Sequence, residues 1–239
     1  MGFFYGMFLV LNVNMYKYLP LLIVLLSCSS CIEIIDDVKI NLDGSGTIKY
    51  TLNLSSSKTK VNSILALDSL DGKKMPNIEE VKKKIDLFEN LLSLQNGISD
   101  VSIEKNYEQF VFKLKCDFKN IKTLQNSLKI VFNELSKDES VTNSNFEWLS
   151  WKDGQLERKI PEISRKQVAK IPKKDIELLR NGKYVSITRF DNEIKSTLNS
   201  QSKLSKSKKA VMLKTNPYIL IHKPKAIDNL ITLKKRINK

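Results

Sequence analysis

Val38-Lys39-Ile40-Asn41-Leu42-Asp43-Gly44-Ser45-Gly46-Thr47-Ile48-Lys49-Tyr50-Thr51-Leu52-Asn53-Leu54 decides the fold class. Apolar side chains at 38, 40 and 42, then at 48, 50, 52 and 54, alternate with polar ones. That is the period of a strand with one face buried. Asp43-Gly44-Ser45-Gly46-Thr47 lies between the two runs, so the pair reads as a β-hairpin.

Working outward, Val61, Ile64, Leu65 and Leu67 suggest a short helix. Ile78, Val81, Ile85, Phe88 and Leu92 recur at spacings of 3, 4, 3 and 4, which puts one apolar stripe on a second helix. Asn77 with Glu80 supplies its capping pair, and Asn96-Gly97 its stop. Ile98–Ile103 and Phe110–Phe118 read as an antiparallel pair turning at Asn106. Ile121, Leu124, Leu128, Val131 and Leu135 make a third helix, and Phe146, Trp148 and Ser150 alternate ahead of a Lys152-Asp153-Gly154 turn. The order predicts an α+β fold, an antiparallel sheet with two or three helices packed on one face.

Beyond Trp151 the chain is polar and basic, closing a short helix at Asn181-Gly182. Strand-like runs follow at Tyr184–Ile187, Ala210–Leu213 and Leu230–Leu233. The expected organisation is a leader over 1–27, an α+β body over 28–150, and a basic, β-rich part over 151–239 packed on the same sheet.

The charge is unevenly placed. Residues 28–150 hold 16 Lys against 18 Asp and Glu, whereas residues 151–239 hold 23 Lys and Arg against 8 Asp and Glu. A basic half suits an anionic partner, such as a lipid headgroup, lipopolysaccharide or an acidic glycan. The plainer reading is a Lys-rich solvated surface from AT-rich coding. Lys203, Lys206, Lys208 and Lys209 crowd one predicted loop and are the candidate anionic-surface contacts.

The first 27 residues carry a single charge, Lys17. Met15-Tyr16-Lys17-Tyr18 precedes an apolar run, Leu19–Leu26, and then Ser27-Cys28, the layout of a secretory signal. Met15 makes a more economical start than Met1. Leu25-Leu26-Ser27-Cys28 resembles the lipobox of bacterial lipoproteins: an aliphatic residue, a small residue before the cut, then cysteine. The resemblance implies cleavage before Cys28 by type II signal peptidase and lipidation of that cysteine. Cleavage before Cys31 and an uncleaved membrane anchor are the rivals. The Asp43–Gly46 turn adds a likeness to envelope lipoproteins whose Cys-proximal strand runs into a Gly-containing hairpin. With Cys28 lipidated, Cys31 and Cys116 could form a disulfide in an oxidising envelope. The rival for Cys116 is a small buried thiol.

Readable catalytic chemistry is sparse. His222 is the single histidine and has no metal ligands at usable spacing. No Gly-x-Ser-x-Gly, Gly-x-Gly-x-x-Gly or phosphate-loop motif occurs. Asn41, Asp43 and Gly44 mimic the middle of a calcium loop, but its first and twelfth positions would be Lys39 and Tyr50, where the ion needs carboxylates. The pairs Asp36/Asp37, Glu79/Glu80 and Asp138/Glu139 flag no reaction. Nucleic-acid binding would need Lys183, Tyr184, Arg189, Phe190 and Lys195 on a shared face.

The expectation is a non-enzymatic envelope lipoprotein without cofactor or metal, lipid-anchored to the outer rather than the inner membrane. Its partners would be the membrane, other envelope proteins or anionic lipid, and not nucleic acid. An anionic-ligand binder using the basic part, or an enzyme without a readable motif, is the alternative.

Overall fold

A computed structural model describes residues 32–70, 73–136, 147–160 and 176–234. Strand β1 (Glu33–Ile40) and β2 (Gly46–Asn53) form the hairpin read from the sequence, pairing from Glu33↔Asn53 to Ile40↔Gly46. Its turn is closed by Asp43, whose carboxylate accepts from the Ser45 backbone N–H (3.0 Å) and hydroxyl (2.7 Å). Helix α1 (Lys58–Leu65) follows, then a small hairpin of β3 (Ser69–Leu70) and β4 (Lys73–Lys74).

Helix α2 (Ile78–Ser93) starts where the capping pair predicted, with the Asn77 side chain accepting from the Glu80 backbone N–H at 2.8 Å. Strands β5 (Ile98–Asn106) and β6 (Val111–Phe118) pair antiparallel, and α3 (Ile121–Leu135) follows with Asn120 as its cap. The remaining strands are β7 (Leu149–Lys152), β8 (Gln155–Arg158), β9 (Lys183–Phe190), β10 (Ile194–Thr197), β11 (Lys203–Leu204), β12 (Ala210–Thr215) and β13 (Asn229–Leu233). Helix α4 (Pro217–His222) lies between the last two.

These elements make a seven-stranded sheet ordered β11-β12-β9-β1-β2-β6-β5 and a four-stranded sheet ordered β10-β13-β8-β7. The fold is α+β, as the element order implied. The expected all-antiparallel sheet is corrected at one seam, because β1 and β9 run parallel from Glu33↔Lys183 to Ile40↔Phe190. Alternation reports which face a residue uses and is blind to the direction of the neighbouring strand. The basic part also splits: β9, β12 and β11 extend the first sheet, while β8, β10 and β13 build the second.

One face of the large sheet carries Asp36, Val38, Ile40, Ile48, Cys116, Phe118, Ser186, Thr188 and Phe190, all buried. Helix α3 covers it beside β5 and β6, burying Leu124, Leu128 and Val131. The Gln125 side chain ties α3 to the small sheet by accepting from the Trp148 (2.7 Å) and Leu149 (2.9 Å) backbone N–H groups. Trp151 stacks on Phe190, with ring centroids 6.0 Å apart, so the small sheet meets the large one beside α3.

The apolar stripe of α2 is less buried than its spacing predicts. It lies along β5, the edge strand, so Leu92 alone among its residues is buried and Phe88 is half-buried against Phe132. Replacing Leu124, fully buried, by Ala should cost about 2–5 kcal/mol. Phe88→Ala should cost about 1–3 kcal/mol, since only part of the ring leaves water. Chemical denaturation of the two variants checks the ranking, and a Phe88→Ala loss at or above that of Leu124→Ala would contradict it.

Among the described residues no helix is long and apolar enough to cross a membrane.

Candidate functional site

Alternation on β1 sends Asp36 inward and Asp37 outward, so the acidic pair of the sequence serves two different environments. Asp36 is 7% exposed and pairs with Arg158 of β8, which is 1% exposed. The Arg158 Nη1 donates to the Thr188 hydroxyl at 3.0 Å, and the Tyr184 hydroxyl donates to Asp36 Oδ2 at 3.1 Å. Burial works against the guanidinium charge, while the Asp36 carboxylate and Tyr184 favour it, and the balance holds the Arg158 pKa above its ordinary value. Burial, with Asp36 adding to it, pushes the Tyr184 pKa up. Tyr184 is therefore a neutral donor at any physiological pH. The cluster bolts the small sheet to the centre of the large one.

Among the described residues the opposite face of the large sheet is open. Asp37, Lys39, Thr47, Lys49, Lys115, Asp117 and Arg189 line a shallow depression of ≈ 250 Å³ on it. Asp37 is gripped by Arg189 through both carboxylate oxygens, at 2.9 and 3.1 Å from Nε, and Asp117 accepts from the Thr47 hydroxyl at 2.5 Å. Lys39 pairs with Asp191 at 3.0 Å. Lys49 and Lys115 stand directly opposite each other in the β2–β6 ladder. Three of these four cations precede residue 151. A charge count by halves hid them, because acidic residues elsewhere in the body offset them.

The lysines read from the sequence fall at a different place. Lys203 begins β11, and Lys206, Lys208 and Lys209 follow in the loop to β12, all exposed. Phe190 N–H donates to the Lys209 carbonyl at 2.8 Å, which puts this tip at the end of the sheet where β1 and β9 finish. Lys208 and Lys209 lie close enough to Glu193 to help hold its carboxyl below the ordinary range, after the larger contribution of Lys234. The basic and aromatic residues of β9 do not share a face: Tyr184 and Phe190 point inward while Lys183 and Arg189 point outward.

Cys116 is fully buried and has no disulfide partner among the described residues, and burial with neighbouring Asp117 pushes the thiol pKa up to about 12. Cys28, Cys31, Asp138 and Glu139 lie outside the described residues. His222 ends α4 and packs on Tyr218, ring centroids 4.3 Å apart. Glu79 and Glu80 sit in the first turn of α2, where the helix dipole favours them. No group of three or more His, Cys, Asp or Glu among the described residues could hold a metal ion.

No family model matches the chain, and no curated protein sequence matches it. Among solved structures it is similar to the folded domain of Mycobacterium tuberculosis LppM determined by NMR. The two are 10% identical, with a TM-score of 0.40 over 88% of this chain and 94% of that one. A likeness this loose carries no argument about function.

Proposed function

We propose that the chain is an envelope lipoprotein, cut before Cys28, lipidated there, and working by contact rather than by catalysis. One observation carries the reading: Leu25-Leu26-Ser27-Cys28 closes an apolar run behind Lys17, and the first strand of the folded body begins at Glu33, five residues later. A cut before Cys28 removes the apolar run and leaves that central strand whole. The buried Asp36–Arg158 cluster is a packing device with no access for a substrate, and the open sheet face offers charge rather than a nucleophile and base. Partners are then the membrane itself and other envelope components, with the body held at the outer membrane.

Intact mass of protein extracted from membranes tests this. Loss of residues 1–27 with addition of lipid is the expected result. Cys28→Ala should leave uncut precursor or release the body from the membrane fraction. Normal processing and membrane retention of Cys28→Ala would sink the reading.

A further inference from the structure

The two ends of the large sheet differ in what a lipid on Cys28 would bring them near. Ile32 is separated from Cys28 by four residue steps, a span of about 14 Å at full extension. Wherever the lipid holds Cys28, the end of the sheet at which β1 begins is therefore held close. The antiparallel and parallel registers put five other features at that same end: the finish of β2 at Asn53, the β5–β6 turn, Lys183 at the start of β9, the finish of β12 at Thr215, and α4 just after it. The lysine tip of the β11–β12 hairpin lies at the other end. β1 advances seven residues between them, about 23 Å at the usual strand rise. That is well beyond a Debye length of ~8 Å.

Helix α4 is the anomaly at the tethered end. Pro217, Tyr218, Ile219, Leu220 and Ile221 make up all of it but His222, yet none of them is fully buried: Ile219 is 38% exposed and the other four are half-buried. An apolar turn normally finds a core. This one is packed beside the tether exit instead. A Cβ added at Gly182 would lie 2.9 Å from the Pro217 ring and 3.2 Å from the Ile32 carbonyl, which accepts from the Lys183 N–H at 2.7 Å. Around the helix stand Arg180, whose guanidinium lies over the Tyr218 ring at 3.7 Å, and exposed Lys183, Lys223 and Lys225. The acids at this end are fewer or paired: Glu33 accepts from the Asn53 amide at 3.2 Å, Asp228 is half-buried, and exposed Glu108 in the β5–β6 turn pairs with Lys58 at 3.9 Å.

We infer that α4 and its basic rim are the face on which the lipid-tethered body rests, against the anionic headgroups of the bilayer that holds Cys28. The inference rests on the lipidation of Cys28. An apolar turn with an aromatic ring, ringed by Lys and Arg, is the composition that settles at a membrane interface. Each cation at the surface adds attraction to anionic lipid, and the long side chains reach headgroups while their stems stay on the protein. The short tether makes the bilayer the first surface this end meets. The lysine hairpin then points away, free for other contacts.

The test uses the lipidated protein, reconstituted into vesicles of phosphatidylethanolamine and phosphatidylglycerol that carry a nitroxide at the headgroup. In a Cys31→Ser background a fluorophore is attached at His222→Cys or at Ser207→Cys, while buried Cys116 stays unlabelled. Quenching should be several-fold stronger at 222 than at 207. Adding Ile219→Asp, an exposed position, should cut the quenching at 222 while the circular dichroism spectrum is unchanged. Equal quenching at both sites, stronger quenching at 207, or none at either overturns the assignment of this face. Intact mass of the same preparation reads the lipid separately. Protein without lipid on Cys28 would defeat the anchor reading, and the tether argument with it.

Discussion

Arg158→Met alone should destabilise the protein by about 3–5 kcal/mol, and Asp36→Leu alone by a similar amount, because each leaves a buried charge without its partner. Arg158 is 1% exposed and Asp36 7%, so water cannot take over the lost interaction. The double variant should lie within about 2 kcal/mol of the parent, since the charges leave together. Its residual cost falls on the hydroxyls of Thr188 and Tyr184, which lose the guanidinium and the carboxylate they face. Asp36 Oδ1 and Arg158 Nε are buried with no hydrogen-bond partner in the protein, a further reason the pair is worth little against an apolar replacement. Denaturant midpoints of the four proteins make the cycle. Single variants costing under about 1 kcal/mol would mean the cluster is hydrated and does not bolt the two sheets together.

Gly46→Ala should be at least as damaging, at about 3 kcal/mol or more, toward the upper end of what overpacking costs. A Cβ there would stand 2.0 Å from the Lys39 backbone oxygen and 2.8 Å from the Phe118 ring. A flexible side chain could swing away, but the carbonyl belongs to the β1–β2 ladder and Phe118 is 3% exposed in the core. Gly154 is the control. Its φ of +76° is strained for any other residue, yet nothing lies within 4 Å of the added Cβ. Gly154→Ala should therefore cost only the left-handed backbone conformation, about 1–2 kcal/mol. Comparable losses at the two positions would show that strand separation absorbs the clash at Gly46.

Much of this architecture is legible locally. The 38–54 alternation became β1 and β2, the Asn77 cap opens α2 where spacing put it, and α3 buries Leu124, Leu128 and Val131 as its stripe requires. The strand runs at 184–187, 210–213 and 230–233 lie within β9, β12 and β13. Short elements escaped: β10 and α4 are four and six residues long, too brief for a period to declare itself.

By itself the sequence determined most of the longer strands and helices and which way most of their side chains face. Those are properties of spacing within one segment, set by backbone geometry and the need to bury every second or every third-to-fourth side chain. Only the tertiary structure decided that β9 lies parallel beside β1, placing Arg158 of a second sheet on Asp36 and leaving Asp37 to Arg189. It also decided that the lysine hairpin and the start of β1 sit at opposite ends of the sheet. Period 2 says which face a residue takes but not which strand becomes its neighbour or in which direction that neighbour runs. Those choices are made by contacts between residues more than a hundred positions apart, and no local pattern carries them.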